Sequence, residues 1–274
     1  MIELNKFYTY ESVSFMRNNI KNNFIDLTIT SPPYDKLRDY KGFELCFEDM
    51  AQELYRVTKD GGVVVWVVGD SVDKKGSETL TSFKQALYFK EIGFNVHDTM
   101  IYQKNSYPFP MSNRYYQQFE YMFVLSKGKP NTHNLLKQKT KWKKDTKELS
   151  TTRLADGTTV EMKYEKGKDE RVLDNIWLCN TGYMRTTKDK IAYNHPAQFP
   201  EELAEKHILT WSNENDIVFD PMCGAGTTCK MAYLNNRNFI GIDISEEYIN
   251  NICIPRLNTY GWEQNQKNNN SRML

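Results

Sequence analysis

Ile25-Asp26-Leu27-Thr28-Ile29, running directly into Thr30-Ser31-Pro32-Pro33-Tyr34, is the stretch that decides the reading of this 274-residue chain. Its first half is apolar and β-branched, the pattern of a short buried strand. Neither proline can donate to a ladder, and the first pushes Ser31 into an extended conformation, so the strand has to stop at Ser31. The rigid loop that follows offers a hydroxyl on Ser31, main-chain carbonyls on Ser31 and Pro32 without ladder partners, and the aromatic face of Tyr34. Ligands bind at the carboxyl ends of strands in open α/β sheets. Oxygens that accept from two N–H bonds, beside a ring that stacks, suit a planar base bearing an exocyclic amine. From these four residues alone a plain Ser-Pro turn is an equal reading.

A second stretch shifts that balance. Ile217-Val218-Phe219-Asp220-Pro221-Met222-Cys223-Gly224-Ala225-Gly226-Thr227-Thr228 predicts a buried strand, a tight glycine turn and a helix from Thr227 to Leu234. The next strand, Phe239-Ile240-Gly241-Ile242, ends in Asp243. Glycines let the backbone approach a ligand, and an acid at the end of the following strand can accept from two ribose hydroxyls. The pattern is that of a nucleoside-cofactor site. A dinucleotide turn would need a third glycine, and Cys229 follows the two threonines instead.

Together the two stretches resemble the S-adenosylmethionine-dependent amino-methyltransferases that act on DNA. These carry Ser-Pro-Pro-Tyr or Asp-Pro-Pro-Tyr for the target amine and Asp-Pro-x-x-Gly-x-Gly-Thr-Thr for the cofactor. Here the target motif precedes the cofactor motif, similar to the beta group of that family, a circular permutation of the commoner order. The resemblance covers most of residues 1 to 260. It implies an α/β fold with a doubly wound, mostly parallel, seven-stranded sheet and an inserted target-recognition region.

It also implies roles. Ser31, Pro32, Pro33 and Tyr34 would grip a base flipped out of duplex DNA. Asp220, Met222, Gly224, Gly226, Thr227 and Thr228 would seat the methionine part of S-adenosylmethionine, with Asp243 on the ribose and Ile244 on the adenine. Phe199, within His195-Pro196-Ala197-Gln198-Phe199-Pro200, resembles a further cofactor contact; helix entry at Pro200 is the structural alternative. The serine in Ser-Pro-Pro-Tyr points to N4 of cytosine, with N6 of adenine as the alternative, because Asp-Pro-Pro-Tyr is the usual adenine form. Methylation at carbon 5 of cytosine requires a Pro-Cys nucleophile, and no cysteine here follows a proline. RNA or protein methyltransferases of this kind carry Asn-Pro-Pro-Tyr after the cofactor motif, the reverse of the order here. A non-catalytic DNA-binding module would not need the glycine turn and the ribose acid.

Composition fits a soluble globular chain, with 39% hydrophobic and 26% charged residues. No run is long enough to cross a bilayer and the N-terminus lacks a signal-peptide pattern, so a cytoplasmic location and no membrane partner are expected. Five cysteines without Cys-x-x-Cys spacing and four scattered histidines predict neither a disulfide framework nor a metal site.

The chain divides into a catalytic half (1–126), a target-recognition insertion (127–194), a cofactor half (195–262) and a flexible tail (263–274). Helices are expected over Ser12 to Asn23, Phe47 to Val57, Leu80 to Ile92 and Glu201 to Thr210. Strands are expected over residues 2 to 8, Val63 to Val68, Phe94 to Tyr102, Glu120 to Leu125 and Thr158 to Met162. Net charge is only +1, yet Lys127 to Lys144 holds seven lysines and no acid. Lys137, Lys139, Lys141, Lys143 and Lys144 would contact phosphates, with Arg38 from the polar loop after Tyr34. Double-stranded DNA is the expected partner, with a cognate restriction endonuclease acting separately; monomer and dimer are both open.

Overall fold

The computed structural model describes residues 2–33, 46–105, 113–139, 150–162 and 169–263. Tyr34, Arg38, Lys141, Lys143, Lys144 and the 264–274 part of the tail lie outside the described residues. In chain order the first elements are β1 (Lys6–Thr9), α1 (Ser12–Asn19), β2 (Ile25–Thr30), α2 (Phe47–Val57), β3 (Thr58–Val68), α3 (Thr81–Glu91), β4 (Asn95–Lys104) and β5 (Phe119–Ser126). Four short strands follow, β6 (Lys137–Lys139), β7 (Ser150–Arg153), β8 (Thr159–Met162) and β9 (Glu170–Val172), then β10 (Ile176–Cys179) and a 3-10 turn, Lys190–Asn194. The chain ends with α4 (Glu201–Trp211), β11 (Ile217–Asp220), α5 (Thr227–Leu234), β12 (Asn238–Asp243), α6 (Glu246–Tyr248), a π-helical turn Ile249–Cys253 and α7 (Ile254–Asn258).

Two compact units result, residues 135–174 and the remainder of the chain. The larger contains an eight-stranded sheet in the order β1-β12-β11-β2-β3-β5-β4-β10. All neighbouring pairs are parallel except those that β5 makes with β3 and β4. The eighth strand, one more than the expected seven, is β10. It pairs with β4 from Ile176 opposite Ile101 to Cys179 opposite Lys104. Its four residues were too few to stand out in the sequence.

The unbroken apolar run of β3 is explained by burial on both faces. Val63, Val65 and Val67 pack into one core with residues of α4, α5 and α7. Val64, Trp66 and Val68 pack into the other with residues of α1, α2 and α3. Trp66 is fully buried and its indole N–H donates to Gln85 Oε1 at 2.8 Å, so the polar end of the ring is satisfied. In helix α2, Met50, Leu54 and Val57 are buried on one face, as their spacing requires.

The smaller unit holds two antiparallel pairs. Lys137–Lys139 pairs with Glu170–Val172, and Ser150–Arg153 with Thr159–Met162 across the Asp156-Gly157 turn. Lys127, grouped by sequence with the basic run, belongs elsewhere. Its ammonium donates to the Tyr55 and Thr58 carbonyls and to Asn23 Oδ1, closing the C-terminal end of α2. It therefore serves as a structural cation.

Candidate functional site

The sheet reverses its winding between β11 and β2. From β2 the chain crosses through α2 to β3 on one side, and from β11 through α5 to β12 on the other. The loops leaving the carboxyl ends of two such strands diverge and leave a crevice, the place where open α/β sheets bind ligands. Ser31-Pro32-Pro33 leaves β2 on one lip, and Pro221 to Gly226 leaves β11 on the other. The two motifs, 190 residues apart in sequence between Thr30 and Asp220, are thereby neighbours.

Two hydrogen bonds fix the lips to each other, and a third, from Ser12, ties the Pro221 lip to α1. Thr30 Oγ1 donates to Asp220 Oδ1 at 2.8 Å, Thr228 Oγ1 donates to the Ile29 carbonyl at 3.1 Å, and Ser12 Oγ donates to the Pro221 carbonyl. Asp220 is 2% exposed, and Oδ1 also accepts from the Met222 amide at 3.1 Å. Burial pushes its carboxyl up to about 7 against these hydrogen bonds.

The glycine turn has the conformation that glycine is needed for. Gly224 has φ +50° and Gly226 φ +74°, both in the left-handed region. A Cβ on Gly224 would stand 2.8 Å from Cε1 and Nε2 of His195, so the imidazole lies directly against the turn. His195 Nδ1 accepts from the Ala197 amide at 3.2 Å, and its ring meets Tyr248 edge-on at 4.6 Å. Asp243 closes the site at the end of β12. Oδ2 accepts from the Gly224 amide and Oδ1 from the Ser245 amide, both at 2.9 Å, and burial raises its pKa.

The sequence-selected residues thus divide. Ser31, Pro32, Pro33, Asp220, Met222, Gly224, Gly226, Thr227, Thr228, Asp243 and Ile244 gather at the carboxyl ends of β2, β11 and β12. Phe199 leads into α4 and packs against the core beneath the sheet. Thr227 and Thr228 are buried, and their hydroxyls contact Arg256 and Ile29 rather than solvent. Lys137 and Lys139 lie on β6 of the smaller unit.

His195, Lys230 and Arg256 were not assigned to the site from sequence. The signal for Lys230 was present, since a lysine flanked by Cys229, Met231 and Ala232 on a helix needs a buried carboxylate. Cys223, Cys229 and Cys253 lie buried around the turn, where burial raises each thiol pKa. A thiol held protonated in this way is not a nucleophile.

The crevice fits a nucleoside cofactor on two counts: a turn of left-handed glycines without side chains, and a carboxylate at the end of the adjoining strand.

A strand-end Ser-Pro-Pro motif lies opposite a strand-end glycine turn at the topological switch point of an α/β sheet of the class I methyltransferase type. The chain belongs to the N6/N4 DNA methylase family, whose model matches residues 25–253. It is 59% identical over 248 residues to the orphan methyltransferase M.BamHII of Bacillus amyloliquefaciens, covering 89% of this chain and 93% of that one. Among solved structures it is similar to M1.HpyAVI in complex with SAM (TM-score 0.58, 24% identity, 92% of this chain and 98% of that chain). It is also similar to the cytosine-N4-specific PvuII DNA methyltransferase (TM-score 0.62, 19% identity, 93% and 90%). The protein is a DNA methyltransferase.

Proposed function

We propose that the protein transfers a methyl group from S-adenosylmethionine to the N4 amine of a cytosine flipped out of duplex DNA. The observation that carries this reading is the crevice itself, with Ser31-Pro32-Pro33 on one lip, the Asp220–Gly226 loop on the other, and the Thr30–Asp220 hydrogen bond as its floor. S-adenosylmethionine supplies a methyl group already activated on a sulfonium.

The chain's residues do the rest. The exocyclic nitrogen of a base is a poor nucleophile because its lone pair is delocalised into the ring. Ser31 Oγ and either the Ser31 or the Pro32 carbonyl accept from its two N–H bonds, favouring a pyramidal nitrogen with its lone pair free. The two prolines hold those oxygens in a fixed loop, so orientation supplies much of the rate. Tyr34 stacks on the base. The amine is engaged in pairing within the duplex, so the base leaves the stack first.

On the other lip, the 224–226 turn and Asp243 hold the cofactor. Asp243 keeps room for ribose hydroxyls, because a carboxylate has about four acceptor positions and the Gly224 and Ser245 amides occupy two of them. Asp220, Thr227 and Thr228 act through the backbone they shape. Residues 135–174, with Lys137 and Lys139, form the DNA-reading part of the target-recognition region, and Lys141, Lys143, Lys144 and Arg38 add phosphate contacts.

A serine at the head of the motif accepts less strongly than an aspartate and favours cytosine; N6 of adenine is the second reading. Duplex DNA incubated with labelled S-adenosylmethionine and digested to nucleosides tests both. Label in N4-methylcytosine, abolished by Ser31→Ala and Tyr34→Ala, is expected. Label in N6-methyladenine would keep the site and overturn the target, and an unlabelled duplex would overturn the reading.

A further inference from the structure

Next to the glycine turn lies a group of four charges, its two cations buried and its two carboxylates partly buried, that the reaction described above does not use. Arg256 of α7 is 1% exposed and Lys230 of α5 is 3% exposed. Between them stand Asp189, at the start of the 3-10 turn, and Glu201, at the start of α4. Lys230 Nζ donates to Asp189 Oδ2 at 2.8 Å and to Glu201 Oε1 at 2.6 Å. Tyr260 donates to Asp189 Oδ1 at 2.7 Å. Burial alone would pull the Asp189 carboxyl up, but hydrogen bonds from Arg256, Lys230 and Tyr260 outweigh it and hold the group down at about 2.

Arg256 is the hub. A guanidinium has five N–H donors in a fixed plane, and contacts to five different acceptors are formed here. Nε donates to Asp189 Oδ2 at 2.7 Å; Nη1 to the Ala225 carbonyl at 2.7 Å and Thr227 Oγ1 at 3.1 Å; Nη2 to Thr187 Oγ1 at 3.2 Å and Glu201 Oε1 at 2.5 Å. Ala225 is the middle residue of the Gly224-Ala225-Gly226 turn, and Thr227 opens the helix behind it. Thr187 and Asp189 belong to the segment that carries His195 onto Gly224.

We propose that Arg256 is a positioning residue for the cofactor. It holds the carbonyl at the centre of the glycine turn and, through Thr187 and Asp189, the segment that seats His195 on that turn, so S-adenosylmethionine meets a preformed surface. This rests on the reading that the turn at 224–226 holds the cofactor. Stability alone is a weak reason for the arrangement, because a buried ion cluster is commonly matched or bettered by apolar residues of equal volume. What an apolar cluster cannot do is point five donors at five chosen oxygens. A lysine keeps the charge but brings three donors on a flexible stem, and it cannot reproduce the planar fork.

The test is calorimetric binding of S-adenosylmethionine together with steady-state methylation of duplex DNA, for the full chain and for Arg256→Lys, Thr187→Val and Asp243→Ala. Arg256→Lys is expected to weaken cofactor binding by about tenfold or more and to raise the KM for S-adenosylmethionine in step, the effect of losing aimed contacts to a buried charge. Its kcat at saturating cofactor and its KM for duplex should stay within about twofold of wild type, the split expected when binding alone is lost. Thr187→Val leaves all four charges in place but removes the three hydrogen bonds of Thr187 Oγ1, accepted from Arg256 Nη2 and the Asp189 amide and donated to Glu201 Oε1, and should weaken cofactor binding by about threefold or more. It decides the matter if Arg256→Lys does not fold.

Unchanged cofactor affinity in the folded variants, with losses confined to kcat or to thermal stability, overturns the proposal. Asp243→Ala separates the two layers. If it binds S-adenosylmethionine as wild type does, the turn is not the cofactor site and both readings fail. If it loses binding while Arg256→Lys and Thr187→Val keep it, only the positioning role fails.

Discussion

Thr30 Oγ1 donates to Asp220 Oδ1 across 2.8 Å, and both residues are buried. This bond joins the last residue of the strand that leads into Ser31-Pro32-Pro33 to the last residue of the strand that leads into the glycine turn. It fixes the separation of the two lips of the crevice at their common floor. Thr30→Val keeps the shape and removes the donor, leaving a buried carboxyl short of one partner. A stability loss of about 1–3 kcal/mol is expected, with weaker S-adenosylmethionine binding. Urea denaturation and calorimetry measure both, and a variant matching wild type in each would show that the lips are held without this bond.

The same carboxyl gives the fold a pH dependence of unusual sign. Burial raises the folded pKa of Asp220 to about 7, from 3.8. Between these values the folded state binds more protons than the unfolded state, so this group's contribution is present at the acid end and lost as pH rises toward 7. Asp220→Asn does not titrate. The stability of wild type relative to Asp220→Asn should therefore fall as pH rises from 4 to 7, read as melting temperatures in matched buffers. A difference that stays constant over this range would argue against a neutral carboxyl.

Gly224→Ala would combine two penalties. The left-handed backbone disfavours a Cβ by about 1–2 kcal/mol, and that Cβ would collide with the His195 ring. Loss of S-adenosylmethionine binding is expected, on the order of tenfold or more at 1.4 kcal/mol per tenfold. Adding His195→Ala removes the collision and leaves the backbone strain, so the double variant should bind better than Gly224→Ala alone. Strict additivity in this cycle would mean that ring and turn do not touch in solution.

Most of the sheet was legible because its signals are local. Val63 to Val68 reads as a doubly covered strand, Phe47 to Val57 carries a single buried face, and Ser31-Pro32-Pro33 ends its strand by stereochemistry. The two lips of the crevice were legible for the same reason. Arg256 was not, since its acceptors come from Thr187, Asp189, Glu201, Ala225 and Thr227, and no periodicity connects residues 29 to 69 positions away. His195 illustrates the limit differently: its segment was recognised, but that the imidazole presses on Gly224 follows only from the close approach of two loops. Lys127 reads as part of a charge run until its carbonyl partners are seen.

In the smaller unit, Lys137 and Lys139 occupy alternate positions on β6 and are exposed. If they neutralise phosphates, each contributes about 0.9 to the slope of log K against log salt. Lys137→Gln with Lys139→Gln should flatten that slope by up to about 2 while leaving S-adenosylmethionine affinity unchanged. Duplex binding titrated at several salt concentrations gives the slope directly. An unaltered slope would remove these lysines from the DNA surface.

His207 of α4 is fully buried against Trp177, whose ring centre lies 4.6 Å away, and its Nε2 is 3.3 Å from Met122 Sδ. Nδ1 has no partner among the described residues. Burial, with Lys206 adding to it, lowers the folded pKa from 6.5 to about 3, so the ring stays neutral in the core. Below pH 6.5 the unfolded chain takes up a proton that the folded chain refuses, and stability is lost as pH falls from 6.5 toward 3. This opposes the Asp220 contribution over the pH range they share. His207→Leu keeps an apolar side chain of similar size and removes both the titrating group and the orphaned nitrogen, so it should equal or exceed wild type in stability at pH 7. At pH 5 the gap should widen in favour of the variant. Denaturant titrations at the two pH values compare the free energies, and a gap that fails to widen would mean that His207 is protonated without unfolding.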